Sequence, residues 1–182
     1  MIQLLPNILS FFRLIASVIL VSLILKNNFK EAFCLFALAA ISDFLDGYIA
    51  RKFKVSSAFG AMLDPLADKA LMLTSYALFA YMGLIPIFVA VLVIARDLLI
   101  LLVVALCKIR GVKLQMQPLL SSKINTTIQL IFILWVLGCN VLLVNIEYLT
   151  EVGAALVVFS TIFSGAEYVQ KYYWIKREVF SR

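Results

Sequence analysis

From Ser42 to Lys69 the chain reads SDFLDGYIARKFKVSSAFGAMLDPLADK. Two apolar stretches here carry four carboxylates, Asp43, Asp46, Asp64 and Asp68, on either side of a basic connector with Arg51, Lys52 and Lys54. Asp43, Asp46, Gly47 and Ala50 recur at i, i+3, i+4 and i+7, which is one stripe of a helix. Gly60, Asp64, Ala67 and Asp68 recur at i, i+4, i+7 and i+8, one stripe of the next. The connector reverses the chain, so the helices are antiparallel and the stripes are expected to face each other at one boundary of an apolar layer.

The rest of the chain supplies that layer. Of its 182 residues 64% are hydrophobic and only 14% charged, and the mean hydropathy is +1.07. A soluble domain has about 45–50% apolar and about 25% charged residues, so the main solvent is expected to be lipid. A bilayer core takes about 20 apolar residues per helix. Six such runs occur: Ile8–Leu25, Ala32–Phe53, Ala61–Met82, Ile85–Cys107, Ile124–Val144 and Val152–Trp174. Backbone polar groups in lipid must be satisfied within the segment, so each is predicted to be a helix. The fold expected is all-α, a polytopic membrane protein of six transmembrane helices. No Pro/Gly/Ser-rich linker or internal repeat divides the chain, so residues 1–182 read as one domain. The first run is too long for a cleaved signal peptide, and no small-residue cleavage site follows it.

Charge sets the orientation. Arg51, Lys52, Lys54, Lys108, Arg110, Lys113, Lys123, Lys171, Lys176, Arg177 and Arg182 all fall on one side of a six-span arrangement. Lys26 and Lys30 fall on the other, beside the acidic Glu147 and Glu151. The positive-inside rule puts both termini and the aspartates on the cytoplasmic face, in a bacterial inner membrane. Tyr168, Tyr172, Tyr173 and Trp174 read as an aromatic belt there. The net charge of +6 is dispersed over short loops between apolar runs, a placement suited to anionic lipid and phosphate substrates rather than nucleic acid. The chain has no histidine, and Cys34, Cys107 and Cys139 lack metal-ligand spacing. Common zinc sites and His-dependent triads are therefore excluded.

Four carboxylates in a half-buried cleft must repel, take up protons or be neutralised by cations. Mg²⁺ and Mn²⁺ are hard ions that suit carboxylates and substrate phosphates. A pair of them about 4 Å apart grips a diphosphate and assists attack at phosphorus. Gly47 and Gly60 leave room for a nucleotide or a partner helix, and Asp68 lies one turn beyond Asp64, placed to take a proton from a hydroxyl. The alternative is a cation transporter, in which the carboxylates line a proton or cation pathway. It accounts neither for the glycines nor for the position beside a basic loop.

The pattern Asp43-x2-Asp46-Gly47-x2-Ala50-Arg51-x8-Gly60-x3-Asp64-x3-Asp68 resembles the complete signature of the CDP-alcohol phosphotransferases. That resemblance implies six transmembrane helices, a homodimer and a cytoplasm-facing polar cavity. It implies that Asp43, Asp46, Asp64 and Asp68 hold two divalent cations, with Asp68 also the general base. Asp43, Asp46, Gly47, Ala50, Arg51 and Gly60 would line the CDP moiety.

The resemblance extends to the branch that uses CDP-diacylglycerol. Pro6-Asn7-Ile8-Leu9-Ser10-x2-Arg13 and Leu63-Asp64-Pro65-Leu66-Ala67-Asp68-Lys69 are similar to stretches of both phosphatidylglycerophosphate synthases and CMP-forming cardiolipin synthases. The first group uses glycerol 3-phosphate as acceptor, the second phosphatidylglycerol. Two positions separate them. Asp97 follows Arg96 where the first group usually has Glu, and Ser122 precedes Lys123 where that group has Gly. The stretch Ser122-Lys123-Ile124-Asn125-Thr126 resembles the cardiolipin synthases, and the acceptor expected is phosphatidylglycerol, with glycerol 3-phosphate the alternative. Either brings a phosphate that needs cations, for which Arg13, Arg96 and Lys123 are the candidates. Asp97 competes as the partner of Arg96, plain anchoring competes as the role of Lys123, and snorkelling competes as the role of Arg13.

Overall fold

Each apolar run coincides with a helix to within a few residues at each end in the computed structural model, which describes residues 5–53, 60–109, 120–144 and 147–180. Side chains are described over 11–42, 69–102, 120–144 and 148–170. The described residues form six α-helices and no strand: α1 Leu5–Leu25, α2 Phe29–Phe53, α3 Gly60–Tyr81, α4 Ile87–Ile109, α5 Leu120–Leu142 and α6 Glu147–Phe180. Each helix overruns its apolar window at one end or both, because backbone bonding does not stop where hydropathy does. Thus α5 begins early enough to take Ser121, Ser122 and Lys123 into its first turn, and α6 runs 34 residues, past the expected aromatic belt. Among the described residues, Leu120–Leu142 and Tyr148–Gln170 have the length and composition of membrane spans, and Phe11–Leu25 is a shorter apolar helix.

The helices close into a ring. α1 packs between α2 and α3, α2 on α5, α5 on α6, α6 on α4 and α4 back on α3, with α3 also touching α5. Tight turns join α1 to α2 and α3 to α4. After α1, Asn27 takes φ 59°, and Asn27 N and Asn28 N donate to the carbonyls of Ile24 and Leu23 at 2.9 Å each. After α3, Gly83 takes φ 71°, and Leu84 N donates to the Phe79 carbonyl at 2.9 Å. Both have the left-handed residue and the 6→1 bond of a Schellman cap, which satisfies the last free carbonyls of the helix. Leu143, at φ 53°, ends α5. These turns lie at one end of the ring, while the last turns of α2 and α4 lie at the other.

The turn end is packed with carbon. Leu20, Ile24, Ala32, Phe36, Phe79, Val89, Ile133 and Leu137 are all fully buried there. Towards the other end the interior becomes polar, with Arg13, Ser17, Ser75, Arg96, Asp97, Asn125, Gln129, Thr161 and Ser164 buried. The outer surface is apolar: Val18 is 68% exposed, Val91 57%, Ile131 58% and Phe159 72%. Water would penalise so many exposed large apolar side chains spread over the helices.

Candidate active site

The backbone carries the four aspartates to one end of the ring. Asp43 and Asp46, with Gly47, Ala50 and Arg51, lie in the closing turns of α2, while Gly60, Asp64 and Asp68 lie in the opening turns of α3. Their helical phase keeps each pair on one face. Their side chains lie outside the described residues. Among the described residues no group of three carboxylate or thiol side chains forms a metal cluster. The donor set itself, four carboxylates on two helices that both flank α1, supplies the hard oxygen ligands that Mg²⁺ and Mn²⁺ take.

Immediately beyond Asp68 begins a network of described side chains. Lys69 on α3 donates to Asp97 Oδ2 on α4 at 2.5 Å, and Arg96 Nη1 donates to Asp97 Oδ1 at 2.6 Å. The Asp97 side chain is fully buried and Lys69 is 24% exposed, so one carboxylate joins two cations, one oxygen to each. Arg96 Nη2 donates to Ser122 Oγ on α5 at 2.8 Å and to Ser164 Oγ on α6 at 2.7 Å. The Tyr168 ring lies 5.9 Å from the guanidinium carbon. A buried charge pair is tolerable only when its remaining donors and acceptors are also met, and the two serines contribute to that here. Ser121 donates to Glu167, tying the same turn of α5 to α6.

Asp97 is thus a partner of Arg96, and of Lys69 as well. Asp97 and Ser122, the two branch-separating positions of the sequence, meet on a single guanidinium. Arg13 is only 2% exposed on the helix between α2 and α3, so it lies inside the ring and does not snorkel along the lipid face. Lys123 is exposed in the first turn of α5.

A second polar layer escaped the sequence reading. Asn125 Oδ1 accepts from Ser160 Oγ at 2.8 Å and from Thr161 Oγ1 at 3.1 Å. Gln129 Nε2 donates to Thr161 Oγ1 at 3.2 Å, and the Tyr76 hydroxyl donates to the Gln129 carbonyl at 3.2 Å. Its signal was available: Ser122, Asn125 and Gln129 recur at i, i+3 and i+7 in an otherwise apolar run. A cavity of about 660 Å³ opens at the turn end, between Leu84, Val136, Asn140 and Glu151. It is lined by none of the candidate catalytic, metal-binding or substrate-binding residues, and it lies at the opposite end of the ring from them.

A family model described as CDP-alcohol phosphatidyltransferase matches residues 3–164. The chain belongs to that family, which sets aside the cation-transporter alternative. Cardiolipin synthase (CMP-forming) of Rattus norvegicus is 32% identical over 189 residues, covering 95% of this chain and 61% of that protein. The Homo sapiens protein of the same description is 31% identical over 189 residues, covering 95% of this chain and 62% of its own. CDP-diacylglycerol–glycerol-3-phosphate 3-phosphatidyltransferase of Aquifex aeolicus is 38% identical over 100 residues, 53% of this chain and 56% of that protein. The chain spans less than two thirds of the length of these relatives.

Proposed function

We propose that the chain is an integral membrane enzyme of phospholipid synthesis that transfers the phosphatidyl group of CDP-diacylglycerol to a glycerol hydroxyl of phosphatidylglycerol, giving cardiolipin and CMP. The observation that carries this reading is the unbroken Asp43-to-Asp68 spacing, set on two helices at the polar end of the ring. The choice of acceptor is supported by relatives named cardiolipin synthase that align over 95% of the chain. Three matches named for glycerol 3-phosphate cover 53% of it or less, although at 38% identity or above, and that identity keeps glycerol 3-phosphate as the second reading.

In this account Asp43, Asp46, Asp64 and Asp68 hold two divalent cations, Mg²⁺ or Mn²⁺. When bound, these supply charge neutralisation of the diphosphate and polarisation of the reacting phosphorus. Gly47, Ala50 and Gly60 give the CDP moiety close access to the helix backbones, and Arg51 neutralises phosphate charge. Asp68 accepts the proton of the attacking hydroxyl. The new bond joins that oxygen to the lipid-bearing phosphorus as the bond to CMP breaks, and CMP departs with the electron pair. Positioning and electrostatics account for such transfers without a covalent enzyme intermediate. Asp97 holds Lys69, the residue after Asp68, against α4.

The apolar outer surface and polar interior support six membrane spans in a single domain over residues 1–182. The concentration of Lys and Arg at the aspartate end supports a cytoplasmic site and cytoplasmic termini. The protein acts as a homodimer in the plane of the membrane. Cysteines introduced at Lys54 and Lys113 in a Cys-free background are expected to be shielded from impermeant thiol reagents in intact cells. Those at Asn28 and Asn145 are expected to be labelled, and the reverse pattern would turn the site outward. The acceptor is tested by giving the purified protein labelled CDP-diacylglycerol with phosphatidylglycerol and glycerol 3-phosphate in parallel. Labelled cardiolipin is expected; label only in phosphatidylglycerophosphate would replace the first reading with the second.

A further inference from the structure

Arg96 is a buried cation in the middle of α4, only 6% exposed, at the polar end where an acceptor phosphate would arrive. Its charge is met by Asp97, and the two hydrogens of Nη2 are taken by Ser122 and Ser164. The two serines are not equivalent. Ser164 is fully buried on α6 and can be reached only through the packed interior. Ser122 is half-buried in the first turn of α5, next to the exposed Lys123. Its hydroxyl is therefore the part of the Arg96 shell that borders the outside of the ring.

A phosphate monoester such as glycerol 3-phosphate carries up to two charges and three free oxygens, whereas a phosphodiester carries one charge and two. The monoester needs more donors, and a guanidinium N–H is among the strongest a protein can offer to phosphate. While Ser122 accepts from Nη2, that donor is spent on the protein. Without the hydroxyl, a buried N–H of a charged group is left without its acceptor, a costly state that an incoming phosphate oxygen relieves.

We propose that Ser122 determines acceptor specificity as a positioning residue: it holds one Arg96 N–H away from the acceptor and so favours a phosphodiester over a phosphomonoester. This rests on the reading that the acceptor enters at the aspartate end. The experiment measures kcat/KM for phosphatidylglycerol and for glycerol 3-phosphate, with the same donor and on the same preparations, for the parent and for Ser122→Ala, Ser122→Gly, Ser122→Thr and Ser164→Ala. In Ser122→Ala and Ser122→Gly the ratio of glycerol 3-phosphate to phosphatidylglycerol use is expected to rise at least about tenfold, the scale of one hydrogen bond to a charged group. The change should appear in the KM for glycerol 3-phosphate. Ser122→Thr keeps the hydroxyl and should keep the parental ratio, and Ser164→Ala should leave it unmoved. A parallel thermal-shift titration covers loss of activity: glycerol 3-phosphate should raise the Tm of Ser122→Ala more than that of the parent. A parent that makes cardiolipin, with ratios within about twofold in both variants and no differential shift, overturns this inference alone. A parent that uses only glycerol 3-phosphate overturns it together with the acceptor reading.

Discussion

The two ends of the helix ring are built on opposite principles. At the turn end the chain reverses through caps at Asn27 and Gly83, and the interior holds Ile24, Phe36, Phe79 and Leu137 with no buried charge among the described residues. At the aspartate end the interior holds Arg13, Arg96, Asp97, Asn125 and Gln129, with Lys69 partly buried beside them. Carbon packing and satisfied backbone close the first end. The second accumulates buried polar groups that each need a partner, an expensive arrangement in an apolar layer. The difference teaches where stability and chemistry reside: the turn end holds the ring together, and the other end keeps charge in place.

Substitutions should separate the two. The largest effect is expected for Asp43, Asp46, Asp64 or Asp68 changed to Asn, which keeps shape and removes charge. Each should lower kcat at least about 10²-fold while leaving Tm close to the parental value. Near-parental turnover in two of the four would break the model. Asp97→Asn should affect stability and activity together. It leaves Lys69 and Arg96 adjacent without their shared carboxylate, and breaking a buried pair in this way costs about 3–5 kcal/mol. Denaturant or thermal unfolding in detergent should show that loss, and Arg96→Met in the same chain should recover part of it; additive losses would mean that the pair is not coupled. The smallest effect belongs to the turn end. Gly83 sits at φ +71° with open space around it, so Gly83→Ala meets only backbone strain, about 1 kcal/mol. Tm should fall slightly with turnover unchanged; a large loss of activity would mean that the two ends are not separable.

Much of this contrast was legible in the sequence because it rests on local signals. Apolar runs bounded the helices to within a few residues, and the aspartate spacing resembled the family to which the chain proves to belong. What stayed hidden depends on which helices touch. The ring order brings α4 against both α3 and α6, and only that meeting puts Lys69 and Arg96 on one carboxylate. Lys69 read as the tail of a motif and Asp97 as a local partner of Arg96, since neither signal crosses between helices. The layer of Asn125, Gln129 and Thr161 was missed for another reason: isolated polar residues in apolar runs are common, and only their shared face distinguishes them. The polar end of α6, from Lys176 onward, fell outside the apolar window although the helix continues to Phe180.

The most direct test of the account measures CMP released from CDP-diacylglycerol by the purified protein in the presence of phosphatidylglycerol, before and after EDTA and after Mg²⁺ or Mn²⁺ is returned. The account predicts one CMP for each cardiolipin formed, abolished by the chelator and restored by either ion. CMP release that survives EDTA, or that proceeds without formation of a new phosphatidyl ester, would contradict it.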